Sequence, residues 1–343
     1  MKDPAAPRPS RARGGPLQRG HSYAAVLRSP GSTPVWSNHP DPVGGPGRSV
    51  VRVCAAPVVP LDLLCASGTS YFGAPAVPYV PGVQGVGVVT ESAVLPPGTR
   101  VWFATSAGMA PGDGSLGQYC AVADADLVPI TSDVPDPVAA SLGLSAVAAW
   151  MALTWRARLQ PGERVVVLGA GGAVGQVALG AARLLGAARV VAVCRPGRSA
   201  DRARRAGADE VVELTDDVAA LTARLAGACG GDADVVVDPV FGAAATAASR
   251  VLAPSGRLVN LGGASGDTAE FSSAVLRSRS ADVLGYTNNA LTPAQRAAAV
   301  DAVLGHAAAG RLAVEHEVLP MSRVAEAWER TAAGGTRRVV VPD

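Results

Sequence analysis

The stretch 165–175 limits what this chain can fold into more than any other. Val165, Val166, Val167 and Leu168 form an unbroken apolar run, the pattern of a strand buried on both faces. Gly169, Ala170, Gly171 and Gly172 then turn the chain, and Ala173, Val174 and Gly175 open a segment that predicts a helix over 173–185. A helix entered through glycines keeps its first backbone N–H groups bare, and its dipole favours an anion there. The spacing is Gly169-x-x-Gly172-x-x-Gly175; Val174 stands where the stricter G-x-G-x-x-G pattern wants its last glycine. Such glycines would equally serve an ordinary tight β–α turn. The surroundings favour more: a strand precedes, a helix follows, and a second apolar strand at 189–194 ends about 20 residues on. That arrangement cradles the pyrophosphate of a dinucleotide.

The end of the second strand selects the dinucleotide. An NAD site wants Asp or Glu there, to accept from the ribose 2′-hydroxyl. Cys194 is followed instead by Arg195, Pro196, Gly197 and Arg198. A guanidinium binds a 2′-phosphate bidentately. Arg195 and Arg198 therefore point to NADP(H), although two solvated surface arginines would look the same in sequence.

Strands and helices alternate around this unit. Strands are predicted at 164–168, 189–194, 210–214, 233–238, 257–261 and 282–286, with helices at 173–185, 199–205, 218–228 and 243–252. This alternation predicts a parallel, doubly wound α/β sheet. Residues 21–130 read differently. Short β segments at 23–27, 49–55, 83–91, 100–103 and 117–122 lie between Pro- and Gly-rich turns, as in an irregular, partly barrel-like β domain. A helix is predicted over 136–153. After 292 come a long helix, a strand near 315–319, a helix from 322 and a closing strand at 338–341, an end expected to return to the first domain. The expected division is a disordered tail at 1–20, a β domain from 21–143 and 287–343, and a dinucleotide domain at 144–286.

Composition bounds the function classes. The 343 residues carry 48% apolar and 17% charged side chains with a net charge of +2, the balance of a globular enzyme. It argues against nucleic acid as a partner. No run of about 18 apolar residues occurs, so no membrane span is expected. The five cysteines, Cys54, Cys65, Cys120, Cys194 and Cys229, are isolated and odd in number, which fits a reducing cytoplasm rather than a disulfide framework. Lys2 is the only lysine, so any fixed cation in the folded body is an arginine.

Several further segments resemble the medium-chain dehydrogenase/reductase superfamily, over about residues 22–343. Leu159, Gln160, Pro161, Gly162 and Glu163 resemble its lead-in to the dinucleotide unit. Ala206, Gly207, Ala208 and Asp209 resemble its "lGA-(D/T)" element. Asp238 to Gly242 and Pro254 to Val259 resemble its "D-x-x-G" and "L-x-x-x-G-R-x-V" elements. Pro78, Tyr79, Val80, Pro81, Gly82, Val83, Gln84, Gly85, Val86 and Gly87 resemble its "P-x-x-P-G-x-E-x-x-G" segment. The resemblance implies a Rossmann sheet plus a GroES-like irregular β-barrel domain, and an oxidoreductase. Zinc-dependent members carry Cys in "C-x-x-D" and His-Glu after the Pro-Gly; Val59, Val83 and Gln84 stand at those positions, so no metal is expected. The departures resemble the zinc-independent branch of quinone oxidoreductases and enoyl reductases. That branch often has Asn where Val59 stands, facing the nicotinamide pocket, so the apolar Val59 departs from its usual substrate-polarising contact.

The implied reaction is hydride delivery from NADPH to a quinone or an α,β-unsaturated carbonyl, with a secondary-metabolite intermediate as one candidate. Tyr71 is the best proton donor to name, with a pocket aromatic that moves no proton as its alternative. Val59, Tyr71, Tyr286 and Asn288 are expected at the substrate. Gly169, Gly171, Gly172, Ala173, Val174, Gly175, Arg195, Arg198, Gly262, Gly263 and Arg338 are expected at the cofactor. Two competing readings remain: a tailoring enzyme using the scaffold for another reaction, and a cofactor-binding protein with little turnover. The resemblance also implies a homodimer through the strand at 282–286.

Overall fold

A computed structural model describes residues 20–343; the expected tail at 1–20 lies outside them except for Gly20. The described chain opens on an antiparallel hairpin of β1 (His21–Val26) and β2 (Val35–Pro40). β3 (Arg48–Val58) leads into α1 (Pro60–Ser67). Then come β4 (Gln84–Glu91), β5 (Arg100–Ala104), β6 (Tyr119–Ala123) and β7 (Leu127–Pro129). α2 (Asp136–Met151) connects this part to the parallel sheet.

That sheet is built from β8 (Arg164–Leu168), α3 (Ala173–Leu184), β9 (Arg189–Cys194), α4 (Arg198–Arg205) and β10 (Glu210–Glu213). It continues with α5 (Val218–Cys229), β11 (Ala233–Asp238), α6 (Gly242–Ser249), β12 (Leu252–Asn260), α7 (Ser273–Arg279) and β13 (Asp282–Gly285). Its order, β10-β9-β8-β11-β12-β13, is all parallel and reverses beside β8, a doubly wound topology. The glycine turn after β8 therefore sits at the switch point, where such sheets leave a crevice at their carboxyl ends. β8 and β11 are buried along most of their length, which is why they read as continuous apolar runs.

The chain closes with α8 (Pro293–Ala308), β14 (His316–Pro320), α9 (Val324–Ala332) and β15 (Arg337–Val341). β15 pairs antiparallel with β3, so the C-terminal strands complete a mixed sheet of order β14-β15-β3-β4-β5-β7, with β6 on β3. Arg337 and Arg338 are thereby carried next to the parallel sheet's crevice.

α2 is the joint between the two sheets. It packs on α3, α8 and β4 and runs on through a π-helical turn at Ala152–Arg156. By length and composition Asp136–Arg156 would suffice to cross a membrane, yet most of it is buried inside the protein. Helical geometry breaks at Gly143, whose φ of 40° and ψ of −138° suit a residue without Cβ. Several expectations need correction. The helix expected over 243–252 ends at Ser249, and Leu252 instead starts β12 by pairing with Ala233. β2, α1, β7 and α7 have no counterpart in the expected elements, because β2 and α7 bury no residue and α1 and β7 are short.

Candidate active site

The turn between β8 and α3 is built for close approach. Gly172 caps α3 with no side-chain hydrogen bond, so the helix's first N–H groups face outward unpaired. A Cβ on Gly175 would lie 2.5 Å from Ala170 Cα, and one on Gly171 would lie 2.6 Å from the Ser199 Cβ. Bare glycine is thus required by packing at 171 and 175. At Gly172 the nearest atom to an added Cβ is the Gly169 carbonyl oxygen at 3.3 Å, so there the open space belongs to whatever binds.

A cavity of about 150 Å³ opens at this turn, lined by Gly172, Ala173, Gln176, Thr336, Arg337 and Arg338. Arg338 is 8% exposed. Its Nη1 donates to the Gly334 carbonyl at 3.0 Å, and its nearest carboxylate, Glu317, is 3.9 Å away. Its Nε is buried without a hydrogen-bond partner. Burial and the cations Arg330, Arg202 and Arg198 push its pKa down. A half-satisfied buried guanidinium beside a bare helix N-terminus fits an anion between them.

Three residues that sequence reasoning missed stiffen this cradle. Arg202 on α4 is 6% exposed; its Nε donates to Glu315 at 3.0 Å and its Nη2 to Thr336 Oγ1 at 3.0 Å. Gln176 donates to the Gly171 carbonyl at 3.2 Å and accepts the Glu315 N–H at 3.1 Å. Burial opposes ionisation of Glu315, but Arg202, Thr336 and Arg205 outweigh it and hold its carboxyl below the ordinary range. Of the two arginines expected at a 2′-phosphate, Arg195 is exposed, and Arg198 is 83% exposed with Glu315 at 3.7 Å. Both remain open to solvent at the end of β9.

The ends of β11, β12 and β13 form the next part of the crevice. Asn260 Nδ2 donates to Asp238 Oδ2 at 3.2 Å and to the Gly262 carbonyl at 2.8 Å, tying two loops together. Asp238 in turn accepts the Val240 and Phe241 N–H groups at 3.0 and 2.7 Å. Burial raises its pKa. Gly262 and Gly263 press against backbone; an added Cβ would come 2.8 Å from the Pro239 and Gly266 carbonyl oxygens respectively.

A second cavity, of about 100 Å³, brings together three of the four residues expected at the substrate, two on its lining and one behind it. Tyr71 and Asn288 line it, with Phe72, Thr105, Leu144 and Arg296. Tyr71 is 83% exposed and packs on Phe72, ring centroids 4.2 Å apart. Tyr286 stands behind Asn288 and donates its hydroxyl to Asn288 Oδ1 at 2.7 Å. Val59 is 5% exposed and lines neither of these cavities; Leu61, two residues on, does.

Where a zinc ion would need ligands, the residues are apolar or amide. Val83 and Gln84 are fully buried. Val83 lies against Asp62, another residue missed in sequence, whose carboxylate accepts the Val59 N–H at 2.8 Å and the Val83 N–H at 2.9 Å. Among the described residues no three of His, Cys, Asp or Glu come together as a metal-binding group.

Residues 173–304 match the family described as zinc-binding dehydrogenase. The chain is 30% identical over 273 residues to quinone oxidoreductase-like protein 2 of Mus musculus, a match covering 78% of this chain and 75% of that protein. It is 31% identical over 348 residues to a phenolphthiocerol/phthiocerol polyketide synthase polypeptide of Mycobacterium tuberculosis, covering 94% of this chain but 15% of that much longer protein. Among solved structures, a probable oxidoreductase from Mycobacterium abscessus superposes with a TM-score of 0.80 at 28% identity, over 95% of this chain and 100% of the other. A mycobacterial protein complexed with NADPH shares the fold, with a TM-score of 0.81 at 22% identity over 94% of this chain and 100% of the other. The chain belongs to the medium-chain dehydrogenase/reductase superfamily of oxidoreductases.

Proposed function

We propose that the chain is an NADPH-dependent, zinc-independent reductase that passes hydride to a carbonyl-conjugated acceptor, either a quinone or an enoyl compound. One observation carries the cofactor reading: the uncapped N-terminus of α3 shares a cavity with the buried, part-satisfied guanidinium of Arg338. These groups would hold the pyrophosphate, and Arg195 and Arg198 the 2′-phosphate. The mycobacterial fold neighbour complexed with NADPH supports the same cofactor. NADPH, when bound, supplies the hydride.

The acceptor class follows from the side chains available. Val59, Val83 and Gln84 provide neither thiolate, imidazole nor carboxylate, so polarisation of an isolated carbonyl by a held zinc has no ligand set here. A carbonyl-conjugated double bond is already electron-poor at carbon, and hydrogen bonding suffices to draw charge to its oxygen. The relatives named for quinone oxidoreduction and for polyketide synthesis fit the two acceptor types. The final proton comes from solvent or from Tyr71, which stands in contact with both water and the cavity.

The test follows loss of reduced-nicotinamide absorbance with NADPH and with NADH, against a quinone panel and an enoyl-thioester panel. Turnover faster with NADPH supports the reading. Turnover with NADH alone would sink the arginine argument, and tight NADPH binding without turnover on either panel would favour a cofactor-binding protein. Stoichiometric zinc in purified protein would contradict the metal-free assignment. Unchanged enoyl reduction by Tyr71→Phe would assign the proton to solvent.

A further inference from the structure

Among the groups lining the second cavity, Asn288 carries a hydrogen-bond donor whose direction is fixed by the fold. Asn288 Oδ1 accepts the Tyr286 hydroxyl at 2.7 Å, and its Nδ2 donates to the Leu144 carbonyl at 3.2 Å. The two contacts settle the amide's orientation, because the Leu144 oxygen can only accept. One amide hydrogen is thereby used and the other is left over, on a side chain that lines the cavity.

The anchors on either side are firm. The Tyr286 N–H donates to the Asn260 carbonyl at 2.8 Å, and Asn260 is the residue that grips Asp238 and Gly262. Burial raises the Tyr286 pKa, so its hydroxyl stays a donor across the physiological range. Leu144 is held from behind: its N–H donates to Gln84 Oε1 at the Gly143 break. Asn288 is thus clamped between the end of β13 and the broken helix α2, with the glycines Gly262 and Gly263 on the adjoining strand end.

We infer that Asn288 is the group that polarises the acceptor: its free amide hydrogen donates to the acceptor's carbonyl oxygen, and Tyr286 is the positioning residue that aims it. This rests on the reductase reading above. The electron count is that of a conjugate reduction. Hydride brings two electrons to the β-carbon, the alkene pair shifts so that negative charge gathers on the carbonyl oxygen, and a proton from water or Tyr71 completes the α-carbon as the nicotinamide is oxidised. Charge on that oxygen is where a preorganised donor lowers the barrier.

Two readouts test this on the intact chain. Crotonyl-N-acetylcysteamine thioester and menadione serve as acceptors, with NADPH. Asn288→Ala is expected to lower kcat for the thioester about 10- to 100-fold with little change in the NADPH dissociation constant, Tyr286→Phe to lower it a few-fold, and Asn288→Gln to recover part of the loss. Independently of turnover, the carbon-13-labelled carbonyl stretch of butyryl-N-acetylcysteamine thioester, bound with NADP⁺, should move to lower frequency in the wild type and return towards its free value in Asn288→Ala. Equal carbonyl frequencies in the two proteins would overturn the assignment even if the wild type is an active reductase. A wild type that turns over neither acceptor yet shows the frequency difference would overturn the reductase reading and leave the hydrogen bond standing.

Discussion

Gln84 Oε1 accepts the backbone N–H of Leu144 across the break in α2 at Gly143. The side chain from β4 thereby takes over a backbone partner that the interrupted helix no longer provides. Gly143 makes the break possible twice over: its φ of 40° is costly for other residues, and any Cβ would overlap the Gln84 amide. Gly143→Ala should cost about 3 kcal/mol or more, combining left-handed strain of roughly 1–3 kcal/mol with overpacking of similar size. Urea unfolding measures it, and a loss below about 1 kcal/mol would show that α2 is not broken in this way.

The two glycines at the start of α3 should part company. In Gly175→Ala the new methyl meets Ala170 Cα and the Gly169 carbonyl oxygen at 2.5 and 2.6 Å, so the turn itself must move. We expect a stability loss of about 1–3 kcal/mol and NADPH binding weakened about tenfold or more. Gly172→Ala meets only the Gly169 oxygen at 3.3 Å. It should fold with nearly wild-type stability while still weakening NADPH, because its methyl enters the space over the bare N–H groups. Unfolding curves and fluorescence titration separate the two; equal stability in both variants would remove the packing argument.

How much of this was legible beforehand depends on what each residue's signal rests on. β8, β9 and β11 appear at their predicted bounds because parallel strands buried on both faces write themselves as apolar runs. The glycine turn was legible because its chemistry is local. Arg202, Gln176 and Glu315 were not, since their partnership joins α4, α3 and the approach to β14 across more than a hundred positions. Asp62 carried no local signal, since no helix was expected around it; its burial follows only from tertiary packing. Gly143 sits in an Ala- and Leu-rich run, where a small residue reads as helix and nothing local announces a break.

The arginines predict two distinct phenotypes. Arg338 lines the cavity at the helix N-terminus, so it should act on the pyrophosphate that both nicotinamide cofactors share. Arg338→Gln should weaken NADPH and NADH by similar factors, about 10-fold or more. Arg195 and Arg198 lie out on the end of β9 and should act only on the 2′-phosphate. Replacing both by Gln should weaken NADPH about 10- to 100-fold and leave NADH within a few-fold. Because both side chains are exposed, the NADPH preference should also shrink with added salt. A common effect of all three substitutions on both cofactors would mean that the exposed pair does not read the phosphate.

Asp62 gives the pH prediction. Burial is the largest influence on its carboxyl and lifts the pKa to about 6 from an ordinary 3.8, against the opposing hydrogen bonds from Val59 and Val83 and the charge of Arg337. The folded state therefore holds this proton more tightly than the unfolded chain. Its stabilising contribution is complete below about pH 4 and is lost as pH rises through about 6, an effect on the order of 3 kcal/mol. Asp62→Asn lacks the titration. It also turns an amide N–H₂ towards one of the two backbone N–H donors, so it should be less stable than the wild type by about 1–3 kcal/mol at pH 7, where the proton no longer contributes, and by more at pH 4. The telling quantity is the difference between the proteins. Wild-type stability minus that of Asp62→Asn, from urea unfolding at pH 4 and pH 7, should shrink by roughly 2 kcal/mol as pH rises. A difference that stays constant would show that Asp62 is ionised throughout, held charged by the two N–H groups it accepts.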